Sequence, residues 1–140
     1  MSASEAPNTS YGDPPRILMA EDNPINQRVG KLILQRAGFV IDLVDDGYEA
    51  LEAHKAKPYD LILMDCQMPT MDGFEASRQI RSLHHNQPVI IAVTANALVG
   101  ERERCLNAGM DDYLSKPFQA EQLVAVVRKW LVNKRQASSS

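Results

Sequence analysis

Short apolar runs spaced along this chain constrain its fold more than any other feature. Leu61–Met64 and Val89–Val93 are wholly apolar, the pattern of a strand covered on both faces. Arg16–Ala20 reads as a strand before them, with Val40–Val44 and Asp112–Leu114 as two more. Helical patterns fill the intervals. Asn23 is placed to cap a helix whose first position is Pro24, where a missing N–H costs nothing. Ile25, Val29, Leu32 and Ile33 recur at i, i+4, i+7 and i+8, predicting one apolar face, and Gly38 supplies a left-handed stop. Further helices are predicted over Tyr48–Ala56, Asp72–Ser82, Val99–Ala108 (stopped by Gly109) and Gln119–Val132, the last with a stripe of Leu123, Val126, Val127, Trp130 and Leu131. This βα alternation predicts an α/β fold with a doubly wound, five-stranded parallel sheet and five helices. Right-handed crossovers and short connections favour the flavodoxin-like strand order 2-1-3-4-5.

A chain of 140 residues suits one domain with a single adequate core. Residues 1–14, rich in Ser, Pro, Asn and Gly, read as a flexible leader or linker, 15–134 as the domain, and 135–140 as a flexible tail. Hydrophobic residues make up 44% and charged ones 24%, which excludes a disordered or membrane-embedded class. A net charge of -3 argues against nucleic-acid binding by this domain. The start of the chain has neither a basic segment nor an apolar one, and Val89–Val93 is far too short to span a bilayer. Cys66 and Cys105 form no CxxC pair and read as reduced, buried thiols. A cytoplasmic location and no membrane contact by this domain are therefore expected.

In doubly wound sheets the ligand crevice lies beyond the carboxyl ends of the strands. The residues predicted there are Glu21 and Asp22 after the first strand, Asp65 after the third, Thr94 after the fourth and Lys116 just past the fifth. Singly, each has an ordinary explanation: acidic residues favour helix starts, and Thr caps them. Together they crowd carboxylates onto strand ends about 5 Å apart. Such charges repel unless a cation intervenes, and an oxygen-only donor set favours Mg²⁺ or Mn²⁺ over zinc. Lys116 and the Thr94 hydroxyl then face an incoming phosphoryl group, and Asp65 is the natural carboxylate nucleophile.

The runs LMAEDNPINQRV, LILMDCQMPTMDGFEA, AVTANAL and AGMDDYLSKPF resemble the receiver domain of two-component response regulators, over roughly Arg16 to Val132. The resemblance implies that Asp65 is the phosphoacceptor. It implies that Asp22, Asp65 and the backbone carbonyl of Gln67 ligate Mg²⁺, with Glu21 acting mainly through water. Lys116 would pair with the acceptor and then with the phosphoryl group, and the Lys116–Pro117 bond would be cis. Thr94 and Tyr113 resemble the family's switch pair, Tyr113 turning inward as Thr94 moves. The wording of NPINQRV, DCQMPTMDG and ERERCLNAGMDDYLSKPF is similar to receivers of hybrid sensor kinases and phosphorelays. That implies a histidine kinase domain or a histidine phosphotransfer domain as partner, a phosphoacceptor rather than a kinase, and a cytoplasmic domain that can be part of a membrane-anchored sensor kinase. A free-standing regulator stays open as an alternative, and the oligomeric state is open between monomer and weak dimer.

Two other classes compete. Haloacid-dehalogenase-like phosphatases use an aspartate nucleophile but require a second Asp two residues on, where this chain has Gln67. A binding-only module would lack part of the Asp65, Thr94 and Lys116 set. His54, His84 and His85 read as solvated surface residues rather than phosphoryl carriers or ligands. Gln67 and Asn96, beside the acceptor and Thr94, are candidates for steering water towards a phosphoryl group.

Overall fold

The computed structural model describes residues 14–83, 85–95 and 99–139, with the backbone alone for 135–139. Strands β1 (Ile17–Ala20), β2 (Ile41–Val44), β3 (Leu61–Asp65), β4 (Val89–Thr94) and β5 (Asp112–Ser115) alternate with helices α1 (Pro24–Arg36), α2 (Gly47–Ala56), α3 (Gly73–Arg81), α4 (Glu101–Asn107) and α5 (Ala120–Ser139). All strand pairs are parallel, in the order β2-β1-β3-β4-β5. This is the order the alternation predicts.

Side chains alternate across each strand, so the sheet feeds two cores. Leu18, Ala20, Ile62, Met64, Ile90 and Ala92 pack with Ala50 and Leu51 of α2, Phe74 and Ile80 of α3, and Cys105 of α4. Ile17, Met19, Leu61, Leu63, Ile91 and Val93 pack on the other side with Leu34 of α1 and Leu123, Val127 and Leu131 of α5. β3 and β4 are buried at every position, and each such Ile or Leu stabilises the fold by about 1.5–3 kcal/mol.

Asn23 caps α1 as its sequence predicts, its side chain accepting the N–H groups of Ile25 (2.8 Å) and Asn26 (3.2 Å), and Gly38 follows at φ 96°. The predicted face of α1 is corrected. Ile25 (72%), Val29 (45%) and Leu32 (48%) are exposed, and Gly30 and Leu34 are buried. A Cβ on Gly30 would run into the Met19 side chain, so the helix meets the sheet through its smallest residue; of the predicted face only Ile33 packs against the core, and Ile25, Val29 and Leu32 turn outward. α4 begins at Glu101, not Val99, because Gly100 takes φ 95°, a left-handed conformation outside any right-handed helix. α5 continues as helix to Ser139, past the expected Val132, through the good helix formers Lys134, Arg135, Gln136 and Ala137 and with no Gly or Pro to stop it.

His54 is also corrected. It is 1% exposed, not a surface residue. Its Nδ1 accepts the Tyr59 N–H at 3.0 Å, and its Nε2 lies 2.6 Å from the Asn86 carbonyl oxygen. Only the neutral ring with the proton on Nε2 satisfies both. Burial pushes its pKa below the usual 6.5. His84 and Asn96 lie outside the described residues.

Candidate functional site

The parallel register brings the strand ends together. Ala20 pairs with Met64, Asp65 with Val93, and Thr94 with Ser115. Glu21 and Asp22 therefore leave the sheet beside Asp65, and Lys116 leaves it beside Thr94. The carboxylates of Glu21, Asp22 and Asp65 present oxygens that all lie within 4.8 Å of one another. Glu21 and Asp65 are buried, and Asp22 is exposed at the mouth.

Lys116 bridges the two buried carboxylates. Its Nζ donates to Glu21 Oε1 at 2.9 Å and to Asp65 Oδ2 at 3.0 Å. The contact with Asp65 is the one the resemblance implies; that with Glu21 is an addition. Burial alone would lower the lysine's pKa, but the hydrogen bonds to Glu21 and Asp65 outweigh it and hold the ammonium above its usual range. The Lys116–Pro117 peptide bond is cis, as the resemblance implies.

Asp65 Oδ1 accepts the Gln67 N–H at 3.1 Å, and Glu21 Oε2 accepts the Asn23 N–H at 3.1 Å. Both carboxylates are thus held by local backbone as well as by Lys116. An all-oxygen cluster with one member open to solvent has the chemistry of a hard divalent cation site of the kind that retains water. Thr94 is buried and donates to Glu101 Oε2 at 3.0 Å. Tyr113 is half-buried against the core under α2, α3 and α4.

Three features escape sequence reasoning. Glu101 looks like any acidic residue in a first helical turn; only the fold sets it against Thr94. Cys66 and Cys105 are far apart in sequence yet bring their sulfurs within 4.8 Å of each other and of a Glu101 oxygen. Gly73, the first residue of α3, lies against the Asp65 carbonyl so closely that a Cβ would collide with it. An Asp-Gly pair at a helix start is the only sequence signal for this contact.

A cleft of about 430 Å³ adjoins the site, lined by Glu21, Asn26, Val29, Ala95, Lys116 and Phe118 among others. Val29 and Ile25 leave apolar surface exposed on α1 beside it. Among the described residues no helix is long and apolar enough to cross a membrane.

Comparison with known proteins agrees with this geometry. The response regulator receiver domain family matches residues 17–128. The sensor histidine kinase GacS of Pseudomonas protegens is 44% identical over 131 residues, covering 91% of this chain and 14% of the kinase. The signal transduction histidine-protein kinase BarA of Escherichia coli K12 is 44% identical over 108 residues, covering 76% of this chain and 12% of the kinase. The chain thus spans about a seventh or less of these relatives. Among solved structures, the receiver domain of sensor histidine kinase PA1611 from Pseudomonas aeruginosa, with a magnesium ion coordinated in its active-site cleft, is 45% identical with a TM-score of 0.78, covering 84% of this chain and 98% of that one. A chain from the co-crystal of the Saccharomyces cerevisiae phosphotransfer protein Ypd1 with the receiver domain of Ssk1 is 30% identical with a TM-score of 0.79, covering 84% of this chain and 88% of that one. Fold, strand-end carboxylates and relatives converge, and the chain belongs to the response regulator receiver domain family.

Proposed function

We propose that the chain accepts a phosphoryl group from a phosphohistidine onto Asp65, and that it serves as the receiver segment of a hybrid sensor kinase. The observation that carries this reading is the Lys116 ammonium held 3.0 Å from Asp65 Oδ2, with Glu21 and Asp22 completing the acidic cluster. Mg²⁺ is the cation expected there, as in the PA1611 receiver, and Mn²⁺ has the same preference for oxygen. Asp22, Asp65 and the Gln67 carbonyl would hold it, with Glu21 acting through water. When bound, the cation neutralises charge on the transferring phosphoryl oxygens.

The protein's own groups supply the rest. A carboxylate oxygen of Asp65 attacks phosphorus in line, and the N–P bond to the donor imidazole breaks with its electron pair returning to the ring. Lys116 then shifts a donor from the Asp65 carboxylate to a phosphoryl oxygen, and the Thr94 hydroxyl donates to another. Tyr113 turning inward would carry the change to the surface around α4 and β5, a small two-state shift biased by one charged group. The donor or recipient is a histidine kinase domain or a histidine phosphotransfer domain. A similar receiver domain, that of Ssk1, is co-crystallised with the phosphotransfer protein Ypd1, and the exposed Ile25 and Val29 of α1 offer apolar surface that suits docking of such a partner. The reading requires no nucleic acid or membrane contact by this domain, and a monomer or weak dimer suffices.

Incubation with Mg²⁺ and a small phosphoramidate, read by intact-protein mass spectrometry, tests the chemistry. One phosphoryl group is expected, absent in Asp65→Asn and in metal-free samples. Addition that persists in Asp65→Asn would place the acceptor elsewhere.

A further inference from the structure

Beside the site, Thr94 and Glu101 form a buried polar pair in which Glu101 takes no part in the phosphoryl transfer. The hydroxyl donates to Oε2 at 3.0 Å, with Thr94 1% and Glu101 6% exposed. The left-handed turn at Gly100 brings the first residue of α4 back against the end of β4. Among the described residues the carboxylate has few other donors. Arg104 reaches only 3.8 Å from Oε1, and its guanidinium lies over the Phe74 ring at 4.2 Å. The Cys66 and Cys105 thiols, weak donors, lie within 4.8 Å of a Glu101 oxygen.

A threonine hydroxyl carries one proton, so donation to Glu101 and donation to a phosphoryl oxygen on Asp65 exclude each other. Asp65 and Thr94 end adjacent strands, and a Thr94 that turns to the acceptor must release Glu101. We propose that Glu101 is a positioning residue that holds Thr94 in the unphosphorylated state and sets how readily the phosphoryl-bound state forms. The inference rests on the receiver reading of Asp65 and Thr94. Release takes a donor away from a buried carboxylate, which favours a shift of the first turn of α4. The same hydrogen bond therefore couples the acceptor to α4.

Beryllofluoride, a tetrahedral phosphoryl mimic, supplies the test by calorimetric titration at saturating Mg²⁺. Glu101→Ala is expected to bind it about tenfold more tightly than the natural chain, the worth of one hydrogen bond to a charged group. Glu101→Gln, which keeps shape and an acceptor, should fall between and carries the test if the alanine variant does not fold. Mg²⁺ affinity should not change in either. In a Thr94→Ala background the Glu101 substitutions should shift beryllofluoride affinity by less than about twofold. Unchanged or weaker binding by the Glu101 variants, when the natural chain binds, overturns the restraint alone; so does an equal gain in the Thr94→Ala background. No binding by the natural chain, despite measured Mg²⁺ affinity, overturns the receiver reading and this inference with it.

Discussion

At Lys116 one ammonium offsets two buried carboxylates, and its removal separates stability from chemistry. Lys116→Ala leaves Glu21 and Asp65 facing each other without a cation. We expect a loss of about 3 kcal/mol in metal-free chemical denaturation. Mg²⁺ should restore more stability to this variant than to the natural chain, because the competing positive charge is gone. Phosphorylation by phosphoramidate should nonetheless fall by about a hundredfold or more, since Mg²⁺ does not replace the second donor to the phosphoryl oxygens. A variant equal to the natural chain in both assays would show that Lys116 serves neither purpose. Gln67 poses a narrower question. It is exposed, and its backbone N–H already holds Asp65, so its side chain is available to water at the acceptor. Gln67→Ala should change the rate of dephosphorylation more than that of phosphorylation, followed by time-resolved mass spectrometry; equal changes would mean that it acts only through the loop.

Two elements carry predictions of their own. α3 meets β3 through Gly73, and Gly73→Ala drives a methyl group into the Asp65 carbonyl. The variant should lose about 2 kcal/mol, and phosphorylation should slow because the acceptor shifts with its carbonyl. Normal stability by thermal melting would show that the contact relaxes freely. On α2, His54 is neutral and doubly hydrogen-bonded, with a folded-state pKa lowered by burial. The unfolded chain binds the proton first, so this contribution is complete above about pH 6.5 and is lost as pH falls below it. Its slope is at most about 1.4 kcal/mol per pH unit. His54→Gln should flatten the fall in melting temperature between pH 7 and pH 5; an unaltered slope would assign the pH response to other groups. Elements also mark where sequence reading stops. Apolar spacing in α1 identifies a helix but not its buried face, because Gly30 against Met19 decides the approach and glycine adds nothing to an apolar pattern. The start of α4 depends on the φ of Gly100, which spacing does not encode. His54 is buried by Tyr59 and Asn86, a partner pair visible only in three dimensions.

For the molecule as a whole, the legible part was the part set by periodicity. Wholly apolar runs identify buried parallel strands, short connections order them, and the order alone puts Asp65 between the acidic pair and Thr94. The Lys116 contact with Glu21 and the Thr94 bond to Glu101 were not legible, because each joins a loop or helix start to a distant strand end through side-chain geometry. Asp65, the Glu21 and Asp22 carboxylates, the adjoining cleft and Val29 of α1 lie together at the carboxyl edge of the sheet. The most direct measurement is phosphotransfer from a purified, phosphorylated histidine phosphotransfer domain in Mg²⁺, with both proteins weighed over time. The account predicts that the donor loses its phosphoryl group as this chain gains one, with no gain by Asp65→Asn. A natural chain that takes the group equally well without Asp65, or that takes none from this donor or from phosphoramidate while binding Mg²⁺, would contradict it.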